Sequence, residues 1–184
     1  APVILFCVIF GLTGRFFAVS LKYAKEKMSH FFRNPYARIG LVSIPLAIIL
    51  TLLYQGRYSG LGTNLIAAAF EGQTIFAYDW LLKILLTILT LSIGFQGGEV
   101  TPLFFIGASL GVIVGVVFGL TPEVCAALGY AAVFGSATNT LIAPALSGLE
   151  VSGTDNAVVL VLVCTVAYLV NGNRSIYTAQ QLEC

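Results

Sequence analysis

Charge is the first thing this sequence lacks. Nine Lys and Arg and eight Asp and Glu make up only 9% of the 184 residues, where a soluble domain carries about 25%. With 58% of the chain hydrophobic, so few charges cannot keep a globule in water, which excludes a soluble enzyme and a disordered tail. The net charge of +1 leaves no basic surface to offset phosphates, which excludes a nucleic-acid binder. The solvent such a chain suits is lipid. Histidine is reduced to His30, and Cys7, Cys125, Cys164 and Cys184 show no CxxC spacing, so neither a metal cluster nor a cofactor motif presents itself. Cys7 and Cys164 lie in apolar runs and read as small buried hydrophobes. The first residues lack both an initiator Met and a basic n-region. They are not a signal peptide and read as a chain continued from something longer. No nucleophile–base pair lies in the apolar runs, so no enzyme is expected.

What the sequence does have is apolar runs of unequal length. A spanning helix takes about 20 of them. The candidates are residues 3–21, with an amphipathic extension to 28, then 35–54, 80–95, 102–120 and 156–170. Residues 61–70 are too few to span, and 122–149 are interrupted by Gly135, Ser136, Asn139, Thr140 and Pro144. The expected fold is an all-α, polytopic membrane protein. Irregular backbone at membrane depth survives only where protein covers it or it lines a wet cavity, and broken helices are how transporters aim helix ends at ions. The competing reading is a packed bundle with ordinary kinks. Lys22, Lys25, Lys27, Arg33 and Arg38 cluster between the first two runs, which places that connection in the cytoplasm. Asp79 and Lys83 stand four apart, a favourable helix pair, and Lys83 is read as snorkelling with no function.

Gly107, Gly111, Gly115 and Gly119 recur at every fourth position. At about 3.6 residues per turn they form a stripe that lets another helix backbone approach closely. The expectation is structural: this helix sits inside a bundle.

Between Ile84 and Pro122 the only charged side chain is Glu99. An acid at membrane depth is expensive unless it is protonated, paired or wet. It follows Gly97 and Gly98, which allow unusual backbone shapes, and precedes Pro102, which suits a first helical turn. This describes a loop turning into a helix N-terminus, with free N–H groups and the positive end of the dipole, a geometry that binds anions. One reading makes Glu99 a carboxylate stabilising its own helix, paired with Arg15 or Lys83. The other makes the loop an anion site that Glu99 controls. An ionised Glu99 repels a bound anion, a protonated one donates to it, and burial favours the protonated form, so proton uptake and anion binding become linked.

Gly97-Gly98-Glu99-Val100-Thr101-Pro102 resembles the GGxxxP loop of the CLC family of chloride channels and anion/proton antiporters. Tyr58-Ser59-Gly60-Leu61-Gly62-Thr63-Asn64-Leu65-Ile66 is similar to that family's short re-entrant segment. Phe134 to Thr140, with Ala143, Gly148 and Glu150, looks like its broken helix pair, and Tyr177 falls where the family keeps a tyrosine facing the central anion. Chloride members carry apolar residues here, in the style GGIFAP. Glu99, Val100 and Thr101, together with Asn139-Thr140, resemble instead the bacterial fluoride/proton antiporter branch, CLC-F.

The resemblance implies an inner-membrane, multi-pass protein that exports fluoride in exchange for protons. The alternatives are chloride transport in the same family, or a membrane scaffold that transports nothing. It implies anion binding at Gly98, Glu99, Val100, Thr101 and Tyr177, with proton coupling at Glu99 and with Tyr177 close to Val100 in space. Fluoride is small and tightly hydrated, and the N–H groups of Glu99 and Val100, the Thr101 hydroxyl and the Tyr177 phenol are the donors that replace its water. It implies that residues 1–184 are the second of two inverted repeats, the C-terminal half of a transport domain. The N-terminal half, with the family's gating glutamate, is missing. It also implies a homodimer formed through roughly 139–149 and 156–170.

Overall fold

Proline and glycine mark half of the helix ends. The structure, a computed structural model, describes residues 2–53, 56–177 and 180. It is all-helical, and no strand occurs among the described residues. In chain order the helices are α1 (Pro2–Phe31), α2 (Pro35–Leu52), α3 (Thr63–Phe70), α4 (Asp79–Ile93), α5 (Val100–Phe118), α6 (Pro122–Thr138), α7 (Ile142–Ser152) and α8 (Ala157–Asn171). Pro35 and Pro122 occupy first-turn positions, where a missing N–H costs nothing. The Asn34 side chain accepts from the Tyr36 N–H at 3.0 Å and caps α2. α1, α2 and α5 are long and apolar enough to cross a membrane.

The interrupted run divides as its composition predicts. α6 stops at Asn139, which takes a left-handed conformation (φ 54°), and α7 resumes three residues later. Asparagine tolerates that conformation better than most residues. The extension after Leu21 is helical throughout, so Lys22, Lys25 and Lys27 stand on the last turns of α1, Arg33 in the short link and Arg38 in the first turn of α2.

α6 is the central helix, with every residue from Cys125 to Thr138 buried. α1, α5, α7 and α8 pack around it, and α4 packs on α1 and α5. α2 is peripheral and buries Leu46 alone. The glycine stripe of α5 explains the closest approach. A Cβ on Gly107 would stand 2.1 Å from the Gly129 carbonyl oxygen, and one on Gly111 2.1 Å from that of Cys125. Gly115 faces the Cys125 side chain. Gly119 departs from the expected stripe: nothing lies within 4 Å of its would-be Cβ, and it ends α5 in the left-handed conformation (φ 67°). The ladder is therefore three packing positions and one cap. α1 packs as closely on two helices: a Cβ on Gly14 would stand 2.6 Å from the Ser136 side chain of α6, and one on Gly11 2.9 Å from the Ala167 carbonyl oxygen of α8, while the Ser136 hydroxyl donates to the Gly11 carbonyl at 2.7 Å. Cys7 and Cys164 are buried and unbridged.

Candidate anion and proton site

The loop between α4 and α5 closes on the basic end of the bundle. Gly94 ends α4 with φ 111°. Just before it, the Arg38 Nε donates to the Ile93 carbonyl at 2.6 Å, so a guanidinium covers the negative end of the α4 dipole. Gly97 and Gly98, expected to supply unusual backbone shapes, do not take positive φ. Gly98 instead supplies room: a Cβ there would stand 3.2 Å from the Leu61 side chain. Glu99 is the N-cap residue of α5, and Val100, Thr101 and Pro102 form its first turn. The first N–H groups of a helix have no intrahelical partner. Pro102 contributes none, which leaves the N–H groups of Glu99, Val100 and Thr101 at the mouth of α5.

Glu99 does not cap its own helix through its side chain, nor does it pair with Arg15 or Lys83. Its Oε1 accepts from Lys25 Nζ at 2.7 Å, with the two side chains 18% and 42% exposed. The contact joins positions 74 apart in the chain. A hollow of about 790 Å³ opens beside it, lined by Lys25, Ser29, Arg38, Gln96, Gly98 and Glu99 among others. It gathers two cations, one carboxylate and the glycine loop at a single helix mouth. The two cations outnumber the carboxylate, beside the positive end of the α5 dipole.

Tyr177 lies in the segment after α8, and that segment is stitched to the broken end of α6. The Ile176 N–H donates to the Ala137 carbonyl at 2.9 Å, and the Ser175 hydroxyl donates to the Thr138 carbonyl at 3.1 Å. The fully buried Asn171 donates through Nδ2 to Asn139 Oδ1 at 3.2 Å and to the Arg174 carbonyl. Tyr177 is 46% exposed and lines a hollow of about 330 Å³ with Lys22, Tyr23, Glu26 and Arg174. This hollow and the one at Glu99 share no lining residue. They border α1 through neighbouring turns, Lys22 and Glu26 in one, Lys25 and Ser29 in the other. Asn171→Ala removes both side-chain bonds and leaves Asn139 without a partner there, so it is expected to destabilise the protein by about 1–3 kcal/mol. Thermal denaturation in detergent reads this, and an unshifted midpoint contradicts the clamp.

The opposite end of α4 holds a second charged network that the sequence did not indicate. Asp79 is fully buried. It accepts from Arg57 Nη2 at 3.0 Å, from the Phe76 N–H at 3.0 Å and from the Tyr58 hydroxyl in a short bond. The expected Asp79–Lys83 pair is not formed, because Arg57 and Tyr58 already surround the carboxylate. Burial, then the bond to Asp79, pushes the Tyr58 phenol well above its usual range, so it remains a neutral donor. Lys83 does not snorkel: it is 2% exposed, and Nζ donates to the Tyr58 and Gly60 carbonyls at 2.9 and 2.8 Å. Such contacts cross more than twenty positions of sequence, so no local pattern reveals them.

An all-helical chain with membrane-length helices, a broken helix pair and a glycine loop running into a helix N-terminus has the architecture of a polytopic membrane protein. The chain belongs to the voltage gated chloride channel family, whose description matches residues 1–172. It is 34% identical over 181 residues to a "chloride/fluoride channel protein" of Pseudomonas syringae pv. tomato (strain ATCC BAA-871 / DC3000), covering 95% of this chain and 40% of the relative. Among solved structures it resembles a CLC-type fluoride/proton antiporter, with 55% identity, a TM-score of 0.93, and coverage of 96% of this chain and 45% of that one. A eukaryotic CLC transporter shares the fold, with a TM-score of 0.74 at 21% identity over 95% of this chain and 33% of that one. The chain thus spans less than half the length of these relatives.

Proposed function

We propose that residues 1–184 are the C-terminal half of a CLC-type transport domain, and that the whole protein exports fluoride across a bacterial inner membrane in exchange for protons. The observation that carries this reading is the α5 mouth, where a glycine loop and free N–H groups meet a carboxylate held by Lys25. It is supported by the 55% identity to a fluoride/proton antiporter structure. In this reading the N–H groups of Glu99 and Val100, the room left by Gly98, the Thr101 hydroxyl and the Tyr177 phenol receive the anion. Glu99 carries the proton. When ionised it holds Lys25 and repels a fluoride at the N–H groups; when protonated it releases Lys25 and donates to the anion. Proton binding at Glu99 and anion binding at the N–H groups are then linked. Two copies associate through α7 and α8, whose outward aliphatic residues include Ile142, Leu146, Val158 and Leu162.

The full-length protein in liposomes, followed with fluoride-selective and pH electrodes, tests this reading. The expected result is fluoride efflux that drives protons uphill, with chloride moving little. Proton-coupled chloride movement without fluoride movement supports the chloride alternative. No flux of either ion supports the scaffold.

A further inference from the structure

Lys83 is a buried cation that the site above leaves unused. Its ammonium has three donors, and two are spent on the neutral carbonyls of Tyr58 and Gly60. It belongs to neither ion pair found among the described residues. The nearby acid, Asp79, is taken by Arg57, Tyr58 and the Phe76 N–H. This end of α4 therefore holds two cations, Arg57 and Lys83, against one carboxylate. A charge withdrawn from water without a counter-charge is costly, and it is retained where it serves a ligand.

The surroundings indicate which ligand. Lys83 lines a hollow of about 290 Å³ with Tyr58, Thr87, Gln96, Gly97 and Gly98. Leu91 and the stretch 95–98 line both this hollow and the larger one that holds Lys25, Arg38 and Glu99. The two spaces share the glycine loop as a wall, and each is lined by a cation, Lys83 in one and Lys25 and Arg38 in the other. We infer that Lys83 forms a second binding site for a small monovalent anion of the halide class, reached along α4 from the glycine loop and separate from the α5 mouth. Its third N–H and its charge replace part of the water such an anion loses. The inference deepens the anion-transport reading above, but the site itself is defined by Lys83, its spent carbonyl partners and the hollow.

The test uses the purified full-length protein, with bromide as the probe. Anomalous diffraction from crystals in bromide is expected to show a peak in contact with Lys83 Nζ that disappears in Lys83→Met. In liposomes, Lys83→Met is expected to raise the fluoride concentration for half-maximal flux about tenfold, the worth of one charge-assisted hydrogen bond, while the saturated rate is kept. Lys83→Arg restores it. If Lys83 only staples the Tyr58–Gly60 carbonyls, stability falls in Lys83→Met but the half-saturating concentration does not move, and the inference is overturned. A bromide peak that persists in Lys83→Met, or no peak in the unmodified protein, overturns it as well. Should Lys83→Met not fold, the bromide map of the unmodified protein decides. Absence of fluoride/proton exchange in the unmodified protein counts against the proposed function and leaves the bromide result to judge this site.

Discussion

Replacing Glu99 with glutamine in the full-length protein is expected to abolish proton-coupled fluoride flux while leaving the fold almost as stable as before. The two halves of that expectation rest on different features. Glutamine keeps the shape and the hydrogen-bonding length of the side chain but cannot take up or release a proton, so coupled exchange falls to the background of protein-free liposomes. Stability changes little because the partner, Lys25, is 42% exposed at its side chain, and ion pairs open to water are worth about 0.2–1 kcal/mol. The residue at the mouth of α5 thus matters for charge movement and hardly for folding. Paired measurement of flux and thermal midpoint separates these roles. A large loss of stability with the flux of the surviving protein unchanged would instead make Glu99 a structural carboxylate. Normal exchange with normal stability would remove it from the mechanism.

The second large effect is on assembly. Gly111→Val places a branched side chain where even a Cβ would lie 2.1 Å from the Cys125 carbonyl oxygen and 2.8 Å from the Ala126 Cα. These are backbone atoms, which cannot rotate away. α5 and α6 must separate along their whole contact, and α6 is the helix on which the bundle is built. Inside a membrane there is little hydrophobic force between helices, and close packing carries the association. The expected cost is about 3 kcal/mol or more, at the upper end of overpacking penalties, read as loss of monodisperse protein and a lower thermal midpoint. Gly119→Asn is the matched control. That position has open space around it and a left-handed backbone that asparagine tolerates, so the control protein is expected to behave nearly as the unmodified one. A Gly111→Val protein that melts with the control would contradict the backbone contact.

Much of the architecture was legible from local pattern. The apolar runs, the short segment at 61–70 and the break near Asn139 all follow from run length, proline and glycine, and the helices begin and end within a few residues of those marks. The stripe at Gly107, Gly111 and Gly115 announced a close helix neighbour, although only the fold shows that the neighbour is α6. Glu99 stood out because no other charge lies near it in sequence. Its partner did not, since Lys25 belongs to a cluster of five basic residues that are equivalent by sequence pattern. Lys83 was misread for the opposite reason. A lysine four positions after an aspartate near the start of a span has the pattern of a surface pair, and the Tyr58–Gly60 carbonyls that bury it arrive from a different loop.

By itself, the sequence determined that this chain lives in lipid, that it is helical, where its helices break, and that one carboxylate stands at a helix N-terminus behind two glycines. These are properties of segments, set by hydrophobic run length and by the conformational limits of proline, glycine and asparagine. Only the tertiary structure decided which charges neutralise one another. It joined Lys25 to Glu99 and Arg57 to Asp79, left Lys83 with carbonyls alone, and set the Tyr177 segment against the end of α6. The reason is physical. In a medium that solvates charge poorly, a buried ionised group relies on polar partners in space, a counter-charge or carbonyls, and helix packing across long stretches of chain sets which ones it meets.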